Sequence, residues 1–173
     1  MPGSRGRKGD SAPQLTDDVI TRLLPHVAFS VALDYDVEPR NEYRVIKYNI
    51  ELLNTHSVYS VATGVFVAPS NGTYMFGMNA VSLQGYNVLL HMMRNGQRVL
   101  SAFDNSGCGC CSTSSDVKEL ECAGAASNVG ILALVENDKV WVELASGYGL
   151  HNAPYHNYAT FYGHLLYAEL THD

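Results

Sequence analysis

The sequence predicts an all-β protein of the sandwich or jelly-roll type, made of short antiparallel strands behind one short helix. Three observations carry this. From residue 27 to the end, hydrophobicity alternates with period two, the spacing at which side chains share one face of a strand. Turn-forming pairs and triplets (Asn71-Gly72, Asn95-Gly96, Glu136-Asn137-Asp138) punctuate that alternation. Composition agrees: eleven Tyr and fifteen Gly with only 16% charged residues lean toward a β-rich extracellular protein rather than a helical cytosolic one.

Taken in order, residues 1–13 are polar, with Gly3, Gly6 and Gly9 at every third position. That is the collagen requirement, but three triplets are too few for a stable triple helix. A disordered basic leader and a collagen remnant are both open. Residues 15–24 have helical spacing: Leu15, Val19, Ile20, Leu23 and Leu24 recur at three and four, with Thr16 able to cap and Asp17 and Asp18 in the first turn. Pro25 disfavours helix at Leu24 and ends the segment. The helix is either a neck where subunits associate or a helix packed on its own domain. Residues 1–25 are thus leader and neck, and 26–173 the globular domain.

In 27–33 the large residues Val27, Phe29, Val31 and Leu33 are all odd-numbered. The strand after Asn71-Gly72 puts Tyr74, Phe76, Met78 and Ala80 on one face; the next aligns Val88, Leu90 and Met92. Asn95-Gly96 turns the chain into 98–103. Residues 128–135 are apolar on both faces, and 139–144 place Val140, Val142 and Leu144 opposite Lys139, Trp141 and Glu143. The last strand, 158–169, should bury Phe161 and Leu165, with Tyr167 continuing them, and turn Tyr158, Tyr162, His164 and Leu166 the other way.

A length of 173 residues with 46% hydrophobic content suits one domain with a real core. The net charge of −6, with no basic cluster beyond residues 5–8, argues against nucleic acid as partner. Apolar runs of a few residues exclude a membrane-spanning helix, and no signal-peptide core stands at the N-terminus. No nucleophile elbow, metalloprotease or phosphate-loop spacing appears, so the expectation is a protein that is not an enzyme; His91, inside a strand, reads as structural. Cys108, Cys110, Cys111 and Cys122 lie in a Gly/Ser-rich stretch and read as disulfide-forming if the protein is extracellular. Zinc ligation, without a Cys-x-x-Cys knuckle, free thiols and bonds between subunits are the other readings. Cys122 should pair with Cys108 or Cys110 sooner than Cys111. A bond between Cys110 and Cys111 is disfavoured by the short distance between neighbouring α-carbons. Asn71-Gly72-Thr73 fits the N-glycosylation acceptor on an expected exposed turn.

The chain resembles the globular-head family of complement C1q. Residues 28–33 (Ala-Phe-Ser-Val-Ala-Leu) are close to the family's first strand, and Ile46-Lys47-Tyr48 is similar to its I-K-F segment. Residues 59–76 follow Y-x-x-x-T-G-x-F-x-x-P-x-x-G-x-Y-x-F position by position, with Gly64 and Gly72 expected where turns need unusual backbone angles. Arg94-Asn95-Gly96, Asp138-Lys139-Val140-Trp141-Val142 and residues 161–167 follow in order. Asn137 stands where the family usually has glycine, and His164 where it has a second aromatic.

The resemblance implies a C1q/tumour-necrosis-factor-like jelly-roll β-sandwich of about ten antiparallel strands, and a secreted homotrimer that binds through its loops. Tyr158, Tyr162, His164 and Leu166 are the candidate trimer contacts. The candidate ligand residues are Asp104, Asp116, His151, Tyr155 and His156. No cofactor is required; Ca²⁺ held by loop carboxylates is the ion the resemblance makes worth testing, and its ligands are unknown. The implied function is innate immune recognition of microbial carbohydrate or lipopolysaccharide. The alternatives are a signalling ligand for a cell-surface receptor and a matrix or mineral-associated structural protein.

Overall fold

The computed structural model describes residues 26–105, 124–153 and 155–169. The expected helix at 15–24, Asp116 and all four cysteines lie outside the described residues. Among the described residues twelve strands form two six-stranded antiparallel sheets packed face to face. The expectation was about ten strands, and the surplus is in short pieces.

In the first sheet, β6 (Gly72–Ser82) is central. One edge of it pairs with β9 (Ala125–Leu134) over its length. The other pairs with β12 (Thr160–Ala168) and, past its end, with β11 (Leu150–His151). Beyond β12 come β1 (Ala28–Ala32) and the edge strand β3 (Ile50–Asn54). In the second sheet, β10 (Lys139–Leu144) has β7 (Val88–Arg94) on one side, with β8 (Gln97–Asp104) outside it. On its other side lie β5 (Val65–Val67), β4 (Tyr59–Ser60) and the short β2 (Arg44–Val45).

The alternation read in the sequence is the core. Phe29, Val31, Tyr74, Phe76, Met78, Val88, Leu90, Met92, Val140, Val142 and Leu144 are all buried. Phe29 is the hub. Its ring centroid lies 4.9 Å from Phe161, 5.2 Å from Phe66 and 5.5 Å from Tyr59, so both sheets meet on one aromatic cluster. Gly163 is part of this packing: a Cβ there would come within 2.5 Å of the Phe76 ring and 2.8 Å of Phe29.

Two expectations are corrected. Tyr167 does not continue the buried face of β12. A register shift between Leu165 and Tyr167 pairs Tyr167 with Thr73, on the outer side, and leaves it 61% exposed. Gly72 does not occupy a left-handed turn; among these two glycines only Gly64 does, at φ 79°. Gly72 instead opens β6 where a Cβ would lie 2.7 Å from both the Leu165 side chain and the Tyr167 carbonyl oxygen. The Asn95-Gly96 hairpin turn has φ of 49° and 85°, both positive as a type I′ turn requires, and Asn137 takes the left-handed geometry at φ 70°.

Those two turns are tied together. The Asp138 carboxylate accepts from Arg94 Nη2 (2.7 Å), Arg94 Nε (3.1 Å), Asn95 Nδ2 (2.6 Å) and the Val135 N–H (3.0 Å). Burial alone would raise the Asp138 pKa. The hydrogen bonds from Asn95, Val135 and Arg94, with the Arg94 charge, outweigh it and hold the carboxyl below the usual range.

Candidate functional site

The strand directions sort the candidate residues into two regions. β1 starts at Ala28, opposite His164, and ends at Ala32, opposite Thr160. The segments just before β12 and just after β1 are therefore at the end of the sandwich away from Ala28, here called distal. His151, paired with Val81 at the far end of β6, is there too.

At that distal end, Asn152 is buried and acts as a clamp. Its Nδ2 donates to the Leu33 carbonyl (2.5 Å), and its Oδ1 accepts from the Ala159 N–H (3.2 Å). Asp36 Oδ1 accepts from the Asn152 N–H (2.7 Å) and lies 2.9 Å from His151 Nδ1. Held this way, the turn before β12 brings three rings together. His156 stacks on Tyr158 at 5.2 Å with an interplanar angle of 12°, and His151 lies 6.0 Å from Tyr158. Tyr155 is at the tip, 99% exposed and in the left-handed region at φ 69°. A non-glycine residue held there is strained, which functional loops often tolerate.

Of the predicted ligand residues, His151, Tyr155 and His156 thus fall in one patch. Asp104 is a separate point at the end of β8. It is paired with Val88, and its carboxylate lies where a Cβ on Gly124 would be, 1.7 Å away. The Gly124 N–H donates to Ser82 Oγ (2.9 Å) and its carbonyl accepts from the Ser82 N–H (2.8 Å), so Gly124 lies beside Asp104 at this same end. Sequence reasoning missed Asp36 and Asn152, and it missed that the Tyr158 ring, an expected trimer contact, also packs with the two histidines. Nothing local announces Asp36 as the partner of a histidine 115 residues away. Among the described residues no group of three or more His, Cys, Asp or Glu side chains is placed to hold a metal ion. The patch offers flat ring faces and a carboxylate acceptor, the chemistry of a binding surface.

The second region is the outer face of the first sheet. The register puts Ser30, Tyr162, Gly77 and Val129 in one row, and Ala28, His164, Met75 and Ile131 in the next. Thr160, Asn79 and Ser127 lie to one side, and Thr73 and Ala133 to the other. None of these residues is Asp, Glu, Lys or Arg. Ile131, Val129 and Leu166 are 62%, 50% and 42% exposed. Tyr162 lies across Gly77: a Cβ on that glycine would fall 2.2 Å from the Tyr162 ring. Three of the four predicted trimer residues, Tyr162, His164 and Leu166, belong to β12, with Tyr162 and His164 in these rows. Asn71, the candidate glycosylation site, is half-buried, and its Oδ1 accepts from the Glu136 N–H (2.8 Å).

Comparison with known proteins agrees with this architecture. The C1q domain model matches residues 28–166. Complement C1q tumor necrosis factor-related protein 6 of Mus musculus is 28% identical over 145 residues, which are 82% of this chain and 50% of that protein. Complement C1q tumor necrosis factor-related protein 2 of the same species is 33% identical over 145 residues, 82% of this chain and 44% of that protein. The chain spans about half the length of these relatives. Among solved structures, the globular domain of zebrafish complement 1qA superposes with a TM-score of 0.61 at 22% identity, covering 83% of this chain and 99% of that one. The Eiger TNF of S. frugiperda gives 0.62 at 13% identity, covering 86% and 98%. With a family model spanning β1 to β12 and two sheets in the matching arrangement, the chain belongs to the C1q domain family.

Proposed function

We propose that the chain is a secreted, non-enzymatic recognition module. It assembles as a homotrimer through the outer face of the first sheet and binds microbial carbohydrate or lipopolysaccharide through its distal loops. The observation that carries this reading is the uncharged outer face. An antiparallel sheet open to water alternates apolar with polar residues. This one presents Val129, Ile131 and Leu166 to solvent, and the rows that hold Val129 and Ile131 contain no formally charged residue; contiguous apolar patches mark interaction sites. Tyr162 suits an interface, with its apolar ring and a hydroxyl able to find a partner. Family membership supports the number three. The distal patch of His151, Tyr155, His156, Tyr158 and Asp36 supports the site of binding, since loops on a rigid scaffold carry specificity. Asp104 and Asp116 complete the proposed ligand set, with Ca²⁺ as the ion to test. Cys122, bonded to Cys108 or Cys110, would staple the intervening segment, and Asn71 would carry a glycan.

The experiment is a glycan and lipopolysaccharide binding screen on the full chain, with Ca²⁺ and with chelator. Saturable binding competed by free sugar is expected, and it should be lost when Asp104, Asp116, His151, Tyr155 and His156 are all changed to alanine. Binding to a cell-surface protein that is insensitive to sugar would replace this reading with that of a receptor ligand.

A further inference from the structure

The uncharged face holds one histidine in its central rows, the residue type suited to a charge switch near neutral pH, and that is His164. It is half-buried at the middle of β12, between Ala28 on β1 and Met75 on β6, with Ile131 of β9 beyond Met75. The groups around it offer no counter-charge. β1 presents only Ala28, and before it the exposed His26. Its own strand presents Tyr162 and Leu166 on the same face, and Glu169 lies past the register shift at the strand's end. Of the edge strand β3, Leu53 faces Ser30, and the Glu51 carboxylate accepts from Asn54 Nδ2 (3.2 Å). The His164 backbone is in the ladder with β1 and β6, and among the described residues its imidazole makes no hydrogen bond or ion pair.

We propose that His164 makes self-association through this face acid-sensitive: copies assemble while the imidazole is neutral and separate when it is protonated. The proposal rests on the assembly reading above. Burying a charge without a partner is costly, and symmetry repeats the charge in every copy. A group whose charged form is excluded from the assembled state binds its proton preferentially in the separated one, so acid favours separation. Each proton excluded from the assembled state weakens association by up to about tenfold per pH unit, and three copies multiply that to up to about a thousandfold.

The test is sedimentation velocity on the full chain at low micromolar concentration from pH 7.5 to 5.0, with circular dichroism to confirm folding at each pH. Wild-type protein should be trimeric at pH 7.5 and dissociate reversibly as pH falls through 6. His164→Phe, which keeps an aromatic ring on the strand, should stay trimeric to pH 5.0, and His26→Asn should behave as wild type. A wild-type trimer that is equally stable at both ends, or His164→Phe dissociating with the wild-type midpoint, overturns the proposal while leaving the interface standing. A wild-type monomer at pH 7.5 overturns the interface and the proposal together.

Discussion

The outer faces of the two sheets follow different rules although the same aromatic core lies beneath both. Outside the second sheet, Lys139, Glu143 and His91 alternate with apolar residues, and the polar groups are engaged locally. Trp141 Nε1 donates to Glu143 Oε1 (2.8 Å), His91 Nδ1 lies 2.8 Å from Ser101 Oγ, and the Tyr43 ring stacks over His91 at 6.0 Å. That face is finished within one chain. The outer face of the first sheet is not: its polar members are hydroxyls, amides and one imidazole, and its most exposed residue in the central rows is an isoleucine. The proposed assembly rests on this difference in what covers the two sheets.

The largest effect expected from breaking this contrast is on assembly. Ile131→Asp should weaken association more than about 100-fold and give a monomer by light scattering at micromolar concentration, because each copy would bury an unpaired carboxylate. Phe103→Asp is the matched change on the second sheet, at a residue 55% exposed, and should leave the mass unchanged. Equal behaviour of the two variants would erase the distinction between the faces.

On the Ile131→Asp monomer, urea unfolding can then compare the two sides of β12. Phe161→Ala should cost about 3–5 kcal/mol, since the ring is fully buried against Phe29 and Phe76. Tyr167→Ala should cost under about 1 kcal/mol, as the register shift turns that ring outward. A large loss at Tyr167 would place it in the core after all.

Asp138 probes the link between the hairpin turn and the β9–β10 turn. Asp138→Ala should cost about 3 kcal/mol by leaving Arg94 and the Val135 N–H without their acceptor. Because its folded pKa is depressed, the Asp138 contribution is whole above the ordinary aspartate range and is lost as pH falls through the lower folded value. The acid limb of the stability curve should accordingly flatten in the variant. The smallest effect concerns His91. Burial first, then the Arg98 charge, lowers its pKa against the opposing pull of Glu143. Its folded form stays neutral, so stability is undiminished above the ordinary histidine value and declines as pH drops below it. The melting temperature of the monomeric variant should show that decline, and His91→Gln should remove it.

The contrast also explains what could be read in advance. Period-two alternation is a direct consequence of strand geometry, so Phe29, Tyr74, Phe76 and Val140 declared themselves as core from spacing alone. Asn95-Gly96 did the same for its turn. Tyr167 was misplaced because a one-residue register shift leaves no mark in an alternating pattern. Gly72 was assigned to turn geometry, although its constraint is steric and comes from Leu165 and Tyr167 on a strand far away in sequence. The distal patch was half legible. Two histidines and a tyrosine near one loop could be noticed, but Asp36 and the Asn152 clamp come from pairings that exist only after β1 and β12 meet.

The Gly124–Ser82 pair of hydrogen bonds has a consequence for how such a scaffold can diversify. It fixes Gly124 against a strand already locked between β9 and β11, while the pairing of Asp104 with Val88 fixes the end of β8 beside it. Closing a longer chain across fixed ends is cheap in polymer terms, about 0.6 kcal/mol for each doubling of length. The sandwich thus places a loose limit on the size of whatever it carries between residues 105 and 124, and that segment can be lengthened, shortened or exchanged while the twelve strands keep their register.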